Sequence, residues 1–176
     1  MSSVFGNVRQ IGLMSRDIDR SMRYFVDAWD MGPWFVLRNQ KVSMLYDGAP
    51  RELEVSIAMA NCGDLQFEIV AQHDDTPSLY RHALQQTPEL HVQHVAVWTD
   101  DVNGVERSAH AKGWSSVFET LSGAGRSVFV IHPSEPKVCI EISDRDPFKV
   151  RVRESIRRVA SDWDGDHPIR EGFPPI

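Results

Sequence analysis

Gln10, Glu68, His94 and Glu141 each stand mid-way along a short run that reads as a β-strand, on the face opposite that run's apolar row. Successive side chains alternate across a strand. In VRQIGLM, Ile11 and Leu13 therefore share one face and Gln10 the other, with Gly12 and Met14. In LQFEIVA, Glu68 opposes Leu65, Phe67 and Ile69; in VQHVAVWT, His94 joins Ala96 and Trp98 against Val95 and Val97. In KVCIEIS, Glu141 stands with Cys139 and Ser143 against Val138, Ile140 and Ile142. Each residue alone is what the solvated side of an antiparallel strand shows. Together, two carboxylates, one imidazole and one amide oxygen suit a divalent ion (Zn, Ni, Co, Mn or Mg) with positions left open to water, and exclude a closed cysteine-type zinc site.

The elements that must position these four come from an internal repeat. VRQIGLMSRDIDRSM, Val8 to Met22, aligns with VQHVAVWTDDVNGVE, Val92 to Glu106, and places Gln10 over His94. Each copy runs strand, hydroxyl residue (Ser15, Thr99), capping aspartate (Asp17, Asp101), then an amphipathic helix. Ile18, Met22, Phe25, Val26 and Trp29 form one helical face in the first copy, and Val102, Val105 and Ala109 a shorter one in the second. Extended segments follow in the first half at Trp34 to Leu37, Lys41 to Tyr46, Leu53 to Met59 and Leu65 to Ala71, and in the second at Ser116 to Glu119, Ser127 to Ile131 and Lys137 to Ser143. LSGAGRS and HPSEPK supply turns. The expected class is α+β: two β-α-β-β-β modules, about residues 5–72 and 90–146, joined by a helix at 76–86. Residues 147–176 add a C-terminal helix and a proline-rich, extended tail. That helix carries a stripe of Phe148, Val152, Ile156, Val159 and Trp163, with Lys149, Arg151, Arg153, Arg157 and Arg158 read as its solvated face.

Composition narrows the function classes. A net charge of −6 with no long basic run argues against nucleic acid as a partner. No apolar run approaches the roughly 18–20 residues that span a bilayer, and the start lacks a basic end followed by an apolar stretch. No membrane partner and a cytoplasmic location are therefore expected. The two cysteines, Cys62 and Cys139, read as reduced thiols rather than a disulfide framework.

The paired modules, with QIGLMSRDID and HVAVWTDDV at matching places, the strand end FEIVAQHDDTPSLY and the segment FVIHPSEPKVCIEIS, resemble the vicinal oxygen chelate superfamily of glyoxalases, bleomycin-resistance proteins and extradiol dioxygenases. The likeness covers residues 5–146, and its local wording is most similar to methylmalonyl-CoA epimerase and glyoxalase-like relatives. It implies a curved, cupped mixed sheet, a homodimer, and one divalent metal ion held by Gln10, Glu68, His94 and Glu141. The epimerase typically has histidine where Gln10 stands and glutamine where Glu68 stands, whereas the Gln, Glu, His, Glu set is similar to that of animal-type glyoxalase I. The implied chemistry removes a proton alpha to a carbonyl that the metal polarises, giving epimerisation, isomerisation or a glyoxalase-type lyase reaction on a small molecule. Glu141 is the first candidate for the base and Glu68 the second. A metal-free small-molecule binding protein of the same fold is the alternative.

Other residues border the expected pocket. Met14, Trp34, Phe35 and Trp98 could wall it; Arg126 could meet an anionic group, and His132, in the HP turn, could touch substrate. His91, three residues before His94, reads as lying on the opposite face of its strand.

Overall fold

The computed structural model describes residues 2–86, 89–122 and 125–176. The order is β1 (Val8–Met14), α1 (Ile18–Trp29), β2 (Trp34–Tyr46), β3 (Ala49–Cys62), β4 (Leu65–Gln72) and α2 (Leu79–Gln86). The second half repeats it as β5 (His91–Thr99), α3 (Val102–His110), β6 (Ser115–Ser122), β7 (Gly125–His132) and β8 (Glu135–Asp144), followed by α4 (Pro147–Ser161) and a short β9 (Ile169–Glu171). Both repeated helices start on the expected aspartate. Asp17 accepts the Arg20 amide at 2.9 Å and Asp101 the Gly104 amide at 2.8 Å, each satisfying a first-turn N–H that has no partner within the helix.

The strands form one sheet in the order β3-β4-β1-β5-β8-β7-β6-β2-β9, in which β2 also pairs with β3. Strand β2 pairs with β3 along its length, while Met44 to Tyr46 at its far end lie against Phe118 to Thr120 of β6. The sheet therefore closes on itself within one chain. The modules meet antiparallel along β1 and β5 with Ile11 opposite Val95, and in each module the first and last strands are parallel neighbours. This local two-fold relates Gln10 to His94 and Glu68 to Glu141.

Helices cover both faces of the sheet. On the outer face, Ile18, Met22 and Phe25 of α1 pack with Leu13, Trp34, Val36, Phe67 and Ile69, and Val102 of α3 packs with Val97, Val128, Val130 and Ile142. Inside the cup, Tyr80 and Leu84 of α2 join Met14, Val70, Phe118 and Phe129. Val152 and Ile156 of α4 seat against Phe35. Burying such a side chain contributes roughly 1.5–3 kcal/mol, which seats α2 and α4 against the sheet.

Three details differ from expectation. The segments at Trp34 to Leu37 and Lys41 to Tyr46 are one strand, because a register irregularity between Leu37 and Gln40, with Asn39 at φ 51°, bends β2 without ending it. Trp29 and Phe148 are exposed, Trp29 meeting the core only edge-on at Phe25 and Phe67; on α4 the buried face is Val152, Arg153, Ser155 and Ile156. Gly123 and Ala124, in the expected LSGAGRS turn, lie outside the described residues. Among the described residues no helix is long and apolar enough to cross a membrane.

Candidate metal centre

Glu68, His94 and Glu141 meet inside the cup. His94 Nε2 lies 3.1 Å from Glu141 Oε2 and 3.8 Å from Glu68 Oε2, and one ligand atom from each residue falls within 4.8 Å of the other two. Register explains the convergence: Gly12 is beside Glu68 and opposite His94, and Ala96 is beside Glu141. Small residues at those two positions leave room for the longer side chains. At Gly12 the room is filled by the imidazole, for a Cβ there would come within 1.9 Å of His94 Cε1.

A β-bulge orients the histidine. Between Gly12 and Leu13 the pairing with β5 slips, inserting Gln93, and such bulges re-aim side chains. Gln93 consequently faces the same way as its neighbour, with its Oε1 2.7 Å from His94 Nδ1. Since an amide oxygen only accepts, Nδ1 carries a proton, which leaves Nε2 as the nitrogen that faces the carboxylates. Nε2 is buried and has no hydrogen-bond partner. A divalent ion among the three residues would satisfy it, so the donor set fits the metal that the sequence suggests. The two-fold mate of this bulge is at Arg9, where β1 slips against β5 between Val8 and Gln10.

Gln10 is buried on the same face, its Nε2 donating to Gln66 Oε1 at 3.1 Å, and Gln66 donates in turn to Asn61 Oδ1 at 3.3 Å. This chain engages the amide nitrogen of Gln10 and turns its oxygen the other way.

The two carboxyls differ in basicity. Burial pushes Glu68 up to about 7, helped by the charge of Glu141. Burial would raise Glu141 as well, but contact with His94, the charge of Arg153 and a hydrogen bond from Ser127 outweigh it and hold that carboxyl far below the usual range. The charges come from α4. Lys149 Nζ donates to Ser127 Oγ at 3.3 Å and Ser143 Oγ at 3.4 Å; Arg153 Nη2 donates to Ser143 Oγ at 3.1 Å, and its guanidinium lies 3.9 Å over the Trp98 ring. Across the cup is Tyr80 of α2, whose phenol is pushed up by burial and by both carboxylates. Phe129 meets His94 edge-on at 5.1 Å.

The structure brings some predicted residues to this place and removes others. Trp98 borders the cluster, and Met14 lies on its face, fully buried beneath α2. Trp34 packs in the outer core and donates from Nε1 to the Met31 carbonyl at 3.2 Å, because Phe35, its neighbour, takes the inward position. Arg126 alternates with inward-facing Ser127 and forms 2.7 Å ion pairs with Glu106 and Glu119 on the outside. His132 is bound to Ser134 and the Lys112 carbonyl at the strand end. The bulge also reverses the expectation for His91, which stands opposite inward-facing Met14, its Nδ1 3.3 Å from the Glu89 carbonyl. Reading the sequence missed Gly12, Gln93, Tyr80, Lys149 and Arg153. The spacing of Lys149 and Arg153 about Val152 and Ile156 was a usable signal, since positions three or four apart share a helix face.

Replacing Gln93 by leucine removes the acceptor that fixes the His94 tautomer. Metal affinity should fall roughly 10–100-fold, the usual loss for a partner of a ligand histidine, with the melting temperature of the metal-free chain little changed. Unchanged affinity in a competition titration would mean that Gln93 does not position the ring.

Residues 9–131 match the family described as the glyoxalase/bleomycin resistance protein/dioxygenase superfamily. No curated protein sequence matches the chain. Among solved structures, a methylmalonyl-CoA epimerase is similar at 18% identity over 82% of this chain and 98% of that one, with a TM-score of 0.54. The epimerase from Mycobacterium tuberculosis gives 17% identity over 86% and 95%, with a TM-score of 0.58. A hypothetical protein from Bacillus halodurans gives 15% over 79% and 94%, also at 0.58. Helix α4 lies beyond the residues that the family match covers.

Proposed function

Because the chain belongs to the glyoxalase/bleomycin resistance protein/dioxygenase superfamily, we propose that it is a divalent-metal-dependent isomerase, epimerase or glyoxalase-type lyase that moves a proton next to a carbonyl in a small molecule. The observation that carries this reading is the cluster of half-buried Glu68 with buried His94 and Glu141, whose imidazole Nε2 is aimed at two carboxylates without a hydrogen bond. A divalent ion held there, with Gln10 as the fourth residue of the set, would supply positive charge against the negative charge that develops on a substrate oxygen as the adjacent C–H is broken.

The chain's own groups divide the remaining work. Glu68 is the better proton carrier: burial raises its basicity toward neutral pH, and it lies farther from His94 than Glu141 does. Glu141, held by His94 and Ser127, suits a fixed ligand. This reverses the order in which the sequence alone ranked the two. Helices α2 and α4 cover the inside of the cup with apolar side chains, and the lower local polarity strengthens each electrostatic contact.

Elemental analysis of the chain purified without added metal or chelator tests the proposal. About one divalent ion per chain is expected, and apparent affinity should fall by up to about tenfold per pH unit below pH 7, because the Glu68 proton must leave before an ion can bind. A chain that takes up none of Zn, Ni, Co, Mn or Mg would refute it.

A further inference from the structure

The site has a second half, supplied by the appended helix. Asp146 caps α4 by accepting the Phe148 amide at 2.8 Å and the Lys149 amide at 3.3 Å, and Val152 and Ile156 anchor it inside the cup. The same face carries Lys149 and Arg153 toward Ser127 and Ser143, on the strands beside Glu141. Arg153 is only 9% exposed, yet its Nη1 has no hydrogen-bond partner, and neither does the buried Nε1 of Trp98, on which its guanidinium stacks. Two buried donors without acceptors are costly. Both residues line a cavity of about 410 Å³ that also meets Arg9, Arg145 and Arg157. Arg145 is paired with Asp100, and Arg157 with Asp64 and Glu154, whereas Arg9 has no ion pair among the described residues. The bulge at Arg9 gives it the inward direction of Gln10.

Charge points the same way. With Arg145 set against Asp100, the cavity lining still places Arg9, Arg153 and Arg157 against only two carboxylates, Asp64 and Glu154. That excess of positive charge is present without any metal, and an entering anion offsets it.

We propose that Arg153 and Trp98, backed by Lys149 and Arg9, form an anion subsite that holds the carboxylate of a small carbonyl acid while its carbonyl reaches Glu68, His94 and Glu141. A carboxylate offers two acceptor oxygens, one for each of the two unpartnered donors, Arg153 Nη1 and Trp98 Nε1. This rests on the functional reading above for the second half of the ligand, and on α4 together with Trp98 and Arg9 for the first.

The test is calorimetric titration of the full chain, in metal-free buffer, with malonate and pyruvate, their uncharged methyl esters, and inorganic phosphate. The carboxylates should bind and the esters should not. Arg153→Gln should weaken malonate at least about tenfold, the scale of one charge-assisted hydrogen bond. Trp98→Phe, which keeps the ring and removes the N–H, should weaken it by a smaller factor, and Arg151→Gln, on the exposed face of α4, should leave it unchanged. Thermal melting checks that each variant is folded. Malonate affinity indifferent to both Arg153→Gln and Trp98→Phe, esters that bind as tightly as acids, or phosphate that binds more tightly than either acid would each overturn the subsite. The titration needs no metal, so its failure is separable from failure of the metal-dependent reading, which elemental analysis decides by itself.

Discussion

Gly12→Ala should abolish metal uptake and lower stability by about 1–3 kcal/mol, the usual range for an atom forced into a packed interior. Gly12 has an ordinary backbone conformation, so the effect is one of space alone: the new Cβ would overlap the His94 ring at Cε1, Nε2 and Nδ1. The imidazole cannot simply retreat, since Phe129 stands against it and Gln93 holds its other nitrogen. Moving the ring separates Nε2 from Glu141 and Glu68. Metal titration and thermal melting of Gly12→Ala read both effects. Adding His94→Ala to the same chain should restore the melting temperature without restoring metal, because the clash goes and the ligand does not return. Full metal affinity in Gly12→Ala would show that His94 binds elsewhere or not at all.

Exchange of a substrate proton with deuterated water should fall about 10²–10⁴-fold in Glu68→Gln, the usual contribution of a positioned general base, even when excess ion offsets the affinity lost with its carboxylate. Glu141→Gln should fail differently, losing the metal first and exchange as a consequence. The contrast follows from surroundings rather than chemical type. Glu141 is in contact with His94 and Ser127 and feels Arg153, so its charge is stabilised and it is a weak base. Glu68, lifted by burial and by its charged neighbour, can take a proton near neutral pH. The measurement is the washout rate of the proton alpha to the carbonyl, followed by NMR at saturating metal. If Glu141→Gln kept its metal and lost exchange while Glu68→Gln exchanged normally, the roles assigned here would be reversed.

Much of this arrangement is legible in local pattern. The capped strand-helix repeat predicts both modules, because an aspartate cap and an apolar stripe act within a few residues of themselves. Period-two parity places Gln10, Glu68, His94 and Glu141 on one side of their strands, because alternation is a property of the extended backbone. Local pattern fails where another part of the chain decides. Trp34 and Phe35 are adjacent apolar residues, and only the pairing of β2 with β3 sends Phe35 inward and Trp34 out. The bulge that turns Gln93 toward His94 carries no glycine or proline to announce it; it arises from the register of β1 against β5.

The sequence by itself determined the repeat, the caps, the α+β class and the faces of four strands, since each depends on backbone periodicity and short-range hydrogen bonding. The tertiary structure alone decided that the sheet closes within one chain, that Gly12 makes way for His94, and that Lys149 and Arg153 turn inward. On an isolated helix those two cations would point to water. In the folded chain Val152 and Ile156 seat the helix and carry them inward; burial disfavours both charges, and Glu141 and Glu68 offset part of that cost, a compensation that exists only after residues more than fifty positions apart have been brought together.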